Sequence, residues 1–201
     1  SSKFRCSLVQ AISRNLKKIS ESVLNEWKDQ SNGFLKVTTS SGVPIYTGED
    51  EIFQNYFASL YGNLKAIHNL KLRRILAETP DDSRPRRAEA WRSERSLRNI
   101  ILNLEAAQKL FQGEGDFGID DFIEMHNPNT NIAKDFNTYL EHTLRTALNI
   151  SIPLHKAVRD PNKYEKVDRL QAQVFALMGL VRGRISSALD INPGFNSLDG
   201  D

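Results

Sequence analysis

The sequence has one cysteine, Cys6, so no disulfide can form within the chain. No apolar run approaches the ~20 residues needed for a membrane-spanning helix. Seven prolines and eleven glycines are few for 201 residues, and most lie between periodic segments, leaving long stretches free to be helical. The formal net charge is only +2, so no global field draws the chain to nucleic acid or to a membrane surface. Runs with strand periodicity are missing. So are a phosphate-binding Walker loop, G-x-G-x-x-G, H-E-x-x-H and any His or Cys cluster with metal spacing. His68, His126, His142 and His155 stand apart. His142 follows Glu141 directly, and adjacent helical positions point about 100° apart, which makes a poor metal pair. No nucleophile elbow marks a Ser-His-Asp centre. Asp199-Gly200-Asp201 resembles part of a calcium loop, but an EF-hand needs about twelve residues with further ligands. The first residues carry no secretory signal. A mature or cleaved chain starts the same way, so this fixes no compartment.

What the sequence has is helical periodicity. With 39% hydrophobic and 26% charged residues, it suits one domain with a real core, or two small ones. Phe4, Leu8, Ile12, Leu16, Ile19, Val23 and Trp27 step by three and four and predict a first amphipathic helix. Thr47 to Asp50 offers a capping-box relative ahead of a second stripe, Ile52 to Leu70, rich in aromatics. A loop over Glu78–Arg87 follows. A third helix carries Leu97, Ile100, Ile101, Leu104, Ala107, Leu110 and Phe111, with Gly113 placed to end it. A short turn of helix is predicted over Ile119–Glu124, and a fourth long helix over Ile132–Leu148. Asp160-Pro161 is a strong start signal for a fifth, with Val167, Leu170, Val174, Leu177 and Val181 as its seam. Gly179 and Gly183 inside it suggest close approach by a neighbouring helix. The expected fold is all-α, an antiparallel four-helix-bundle-like domain. Trp27, Phe57, Leu104, Phe136 and Leu177 are expected in one core.

The third helix begins in a polar knot: Glu89, Trp91, Arg92, Ser93, Glu94, Arg95, Ser96. Ser93 or Ser96 is the expected N-cap. A helix N-terminus offers free N–H groups and partial positive charge, and with arginines beside it the spot favours carboxylates or an anion. The plainer reading is a capped, solvated helix start. Residues Arg84–Arg98 hold six arginines and Trp91, which raises single-stranded nucleic acid. Glu89 and Glu94 dilute that patch and no nucleic-acid module surrounds it, so no nucleic-acid partner is expected.

Two stretches resemble the imelysin-like family of bacterial iron-regulated envelope proteins, formerly classed as insulin-cleaving metallopeptidases. Glu89-Ala90-Trp91-Arg92-Ser93-Glu94-Arg95-Ser96-Leu97, with Asn99 and Asn103-Leu104, is similar to the family's E-S/A-W-R-S-x-R-S-L segment. Its helix end, Leu110-Phe111-Gln112-Gly113, also fits. Gly194-Phe195-Asn196-Ser197-Leu198-Asp199-Gly200-Asp201 is similar to the family's G-F-N-x-x-D-G-D signature. The family's G-x-H-x-x-E motif, which belongs to its N-terminal half, is absent. The resemblance therefore covers the C-terminal half, and it implies one of two similar bundles with a site at their interface.

On that reading residues 1–201 form a single helical bundle domain whose tail, 190–201, docks at the interdomain site. The implied function is ligand or metal handling in bacterial iron uptake without catalysis, in the periplasm or anchored at the outer membrane. The alternatives are a metallopeptidase and a structural helical interaction domain. The implied ligand-binding residues are Glu89, Arg92, Ser93, Arg95, Ser96, Asn196, Asp199 and Asp201, with arginine forks meeting tail carboxylates. Hard oxygen ligands there could help hold iron or another divalent cation, calcium included. The expected partners are the half carrying G-x-H-x-x-E and outer-membrane iron-uptake components. Tyr61 and Met178, off the main seams, suggest apolar surface reserved for that other half.

Overall fold

A computed structural model describes residues 2–29, 49–115 and 117–191. Among them every regular element is helical. They fall into two compact units, residues 1–53 and residues 54–201. No helix among the described residues is long and apolar enough to cross a membrane.

The first unit contains α1, Ser2–Lys28, an uninterrupted helix with an apolar stripe and no buried residue. The stripe is exposed along its whole length, and even Trp27 retains 47% of its surface. The expectation that Trp27 joins the common core is therefore corrected. A periodic stripe specifies that a helix has one apolar face, but it does not say what covers that face. The capping box at Thr47 lies outside the described residues.

The long helices of the bundle meet in the second unit. Helix α2, Glu49–Lys65, runs into a π-helical segment, Ala66–Leu72. Helix α3 is Ser96–Gln112, α4 Ile119–His126 and α5 Ile132–Leu148. The four-residue α6 is Leu154–Ala157, and α7 is Pro161–Leu180. A second π-helical segment, Val181–Ile185, leads into α8, Ser186–Leu189. Helix α3 packs on the π end of α2, α5 packs on α3, α7 on α5, and α7 returns to the π end of α2, closing a four-helix ring. Phe57, Leu64, Leu104, Phe136, Val174 and Leu177 meet inside it, each with almost no exposed surface. Phe111 and Phe136 join α3 to α5 with ring centroids 4.4 Å apart.

Polar contacts fix the register of α2 against α3. Asn63 Nδ2 donates to the Asn103 carbonyl at 2.8 Å, and Asn103 Nδ2 donates back to Asn63 Oδ1 at 2.7 Å. The Tyr56 hydroxyl donates to the Leu110 carbonyl at 2.9 Å. Such side-chain pairs inside a bundle allow few alternative registers, because a slip leaves buried amides unpaired.

Local signals perform well. Asp160 Oδ1 accepts from the Asn162 N–H at 2.8 Å and caps α7, with Pro161 at its first position. Gly113 ends α3 in the left-handed conformation, φ 68°. Two other readings are corrected. Tyr61 and Met178 are buried in the core, not kept for a second bundle. No atom lies within 4 Å of a Cβ built on Gly179 or Gly183, so neither marks close helix approach among the described residues. Gly183 instead lies in the π turn that follows α7.

Candidate functional site

The knot ahead of α3 is built from two left-handed residues on either side of one tight turn. Ala90 has φ 52° and Glu94 φ 59°, with the 3-10 turn Trp91–Ser93 between them. Non-glycine residues in that region carry strain of order 1–3 kcal/mol each, which the surroundings must offset. Several contacts hold the knot. The Ser96 hydroxyl, almost fully buried, donates to the Glu89 carbonyl in a short bond. The Ser93 hydroxyl donates to the Ala90 carbonyl at 3.1 Å. Lys71, at the π end of α2, reaches Glu89 Oε2 at 2.5 Å. Lys156 of α6 reaches Glu94 Oε1 at 2.8 Å.

The expected cap is therefore corrected. Arg95 is the N-cap and makes no side-chain cap bond, and Ser96 is the first helical residue. Glu89 takes the Ser96 hydroxyl, and Ser93 is held back in the preceding turn by Ala90. Removing the Ser96 hydroxyl should leave the Glu89 carbonyl without its partner. Ser96→Ala is expected to lose about 1–3 kcal/mol in urea unfolding. A loss below about 0.3 kcal/mol would show that the hydroxyl does not close the knot.

The knot turns its cations outward. The Arg92 guanidinium lies over the Trp91 ring, 4.7 Å from its centroid. Arg92 and Arg95 are exposed, and neither makes an ion pair among the described residues. The carboxylates are engaged elsewhere. Hydrogen bonding from Lys156, then its charge, then the nearby His155 hold the Glu94 carboxyl below the usual carboxylate range. A depressed carboxyl contributes stability above its unfolded value and loses it as pH falls through the folded one, so this contact weakens only in acid.

His155 was not singled out in the sequence as a neighbour of this stretch. Its Nε2 lies 3.9 Å from Glu94 Oε1, its ring meets Trp91 edge-on at 6.3 Å, and its Nδ1 is buried without a partner. Lys71 and Lys156 were missed as well. All three lie far from the knot in sequence, and no local pattern links them to it.

Of the residues named from sequence, Glu89, Arg92, Ser93, Arg95 and Ser96 come together here. Asn196, Asp199 and Asp201 lie outside the described residues.

A family model described as Imelysin, of the M75 peptidase class, matches residues 1–181. The chain belongs to the imelysin family. No curated protein matches it, and no solved structure does. The imelysin match includes the whole knot and ends ahead of Gly194–Asp201. In this imelysin-family chain the described donors do not suit a cation. Glu89 and Glu94 are bonded to lysines, and the Arg92 and Arg95 guanidiniums lie beside them in sequence. Among the described residues no three His, Cys, Asp or Glu side chains gather closely enough to hold a metal. What the surface offers is paired positive charge in planar, fork-shaped donors, which suits carboxylates.

Proposed function

We propose that this chain is the ligand-handling C-terminal half of an imelysin-type envelope protein that serves bacterial iron uptake without catalysis. It works in the periplasm or anchored at the outer membrane, beside a half carrying G-x-H-x-x-E. One observation carries the reading. The knot ahead of α3 is braced from behind by Ser96, Lys71 and Lys156, while Arg92 and Arg95 stay exposed and unpaired among the described residues. Such a surface is prepared for anionic groups, and the tail carboxylates Asp199 and Asp201 are the proposed intramolecular ones, with Asn196 beside them. Any iron or other divalent cation would depend on oxygen ligands from that tail or from the other half. A metallopeptidase is the second reading and rests on the peptidase class in the family's description.

The test is titration of ferric nitrilotriacetate into the chain mixed with a G-x-H-x-x-E half. Saturable binding is expected. It should weaken at least about tenfold in R92A/R95A, since a hydrogen bond to a charged group contributes about 1.5–3 kcal/mol. Iron binding untouched by the double substitution, or casein cleavage by the pair, would overturn the reading.

A further inference from the structure

The π-helical end of α2 and the outer face of α7 enclose a second feature, separate from the knot. The Arg73 N–H donates to the His68 carbonyl at 2.8 Å. That is a bond across five residues, the π repeat, and it stacks Arg73 above His68. In a regular α-helix residues five apart point about 140° away from each other. Here both line one open cleft of about 340 Å³. The opposite wall is α7, where Asp168, Gln171, Ala172 and Phe175 follow one another at helical spacing.

The chemistry of the lining is specific. His68 and Phe175 make an aromatic floor, with ring centroids 5.3 Å apart and planes tilted by 38°. Phe175 leaves 62% of its surface exposed, unusual for a phenylalanine in the middle of a bundle helix. His68 Nδ1 and Asn69 Oδ1 are hydrogen-bonded at 2.8 Å, which ties the ring to its chain neighbour. Arg73 and Asp168 are both exposed and both line the cleft, yet they do not pair with each other or form an ion pair with any other described residue. One cation and one anion, neither in an ion pair among the described residues, therefore line the same aromatic-floored space, and the Asp168 charge also acts on the nearby Tyr164 hydroxyl. Its volume lies at the small end of the range for ligand clefts.

We propose that this cleft binds a small zwitterion, an α-amino acid with an aromatic side chain. Arg73 takes the carboxylate, Asp168 takes the ammonium, and the side chain lies on the His68–Phe175 floor. A guanidinium fork matches a carboxylate in bidentate fashion. An ammonium near Phe175 also gains from the ring face. Gln171, on α7 just after Asp168, supplies a neutral amide to the same cleft.

The experiment uses the whole 201-residue chain and L-phenylalanine as probe, followed by the ring resonances of His68. Saturable shifts with a Kd of about 1 mM or tighter are expected. 3-Phenylpropanoate lacks the ammonium and phenethylamine lacks the carboxylate, and each should bind at least about tenfold more weakly. Arg73→Gln should abolish the preference for L-phenylalanine over phenethylamine. Asp168→Asn should abolish the preference over 3-phenylpropanoate. Both side chains are exposed, so both variants should keep their far-UV circular dichroism. Three results would overturn the proposal: no saturable shift in that range, equal binding of all three compounds, or preferences that survive both substitutions. Equal binding would mean that Phe175 attracts any apolar ring.

Discussion

Phe136→Ala is expected to cost about 3–5 kcal/mol of unfolding free energy, more than any other substitution considered for this chain. Phe136 retains 1% of its surface and packs against Phe111 between α3 and α5. Deleting the ring removes its transfer free energy and leaves a cavity that a close-packed bundle fills only partly. For a chain of this size each kcal/mol lowers Tm by about 2–4 °C, so the change is large in any thermal scan. Trp27→Ala provides the contrast. Trp27 is as large and belongs to an equally regular stripe, but it keeps 47% of its surface, so its truncation should cost well below the Phe136 value. Equal losses from the two substitutions would mean that α1 is as deeply packed in solution as α5.

Gly118→Ala is expected to cost about 1–3 kcal/mol. The reason is space. A Cβ at Gly118 would lie 2.5 Å from the Phe111 carbonyl oxygen and 2.6 Å from the Gln112 carbonyl carbon. Both are backbone atoms at the end of α3, so neither can swing away. Gly113 faces the same crowding from the other side, since its Cβ would meet the Gly118 nitrogen at 2.7 Å. These two glycines let the chain double back tightly between α3 and α4, where the Gly118 N–H donates to Asp121 Oδ2 at 2.9 Å. Gly179→Ala is the control. With open space around it in the interior of α7, it should gain about 0.5–1 kcal/mol. The measurement is the urea midpoint at unchanged m-value. A neutral Gly118→Ala would mean that the end of α3 stands clear of Gly118 in solution, and a destabilising Gly179→Ala that a neighbour crowds α7 there.

The glycine pair also shows how far local reading reaches. Gly113 was legible from sequence because a helix end wants a left-handed residue, a requirement set within a few positions. Gly118 and Gly179 were not, because their roles depend on which backbone comes near. The same division runs through the candidate site. The run from Glu89 to Ser96 stood out by residue type, and its family likeness was legible residue by residue. Its cap was misread because Ser96 is claimed by a carbonyl seven residues back, and that contact exists only after Ala90 and Glu94 adopt left-handed conformations. Lys71, His155 and Lys156 brace or border the knot from elements distant in sequence.

The sequence by itself determined the helices. The stripe over Ile132–Leu148 matches α5 end to end, and Asp160-Pro161 starts α7. Helical periodicity, capping and turn chemistry act over three or four residues, so a linear reading captures them. The tertiary structure decided which stripes share a core. It closed the ring with α2, α3, α5 and α7, and it left the apolar face of α1 exposed. It also decided the alignment of His68 with Arg73. A five-residue repeat is invisible to a 3.6-residue pattern, and a π turn persists only where the packing around it repays the less favourable backbone geometry.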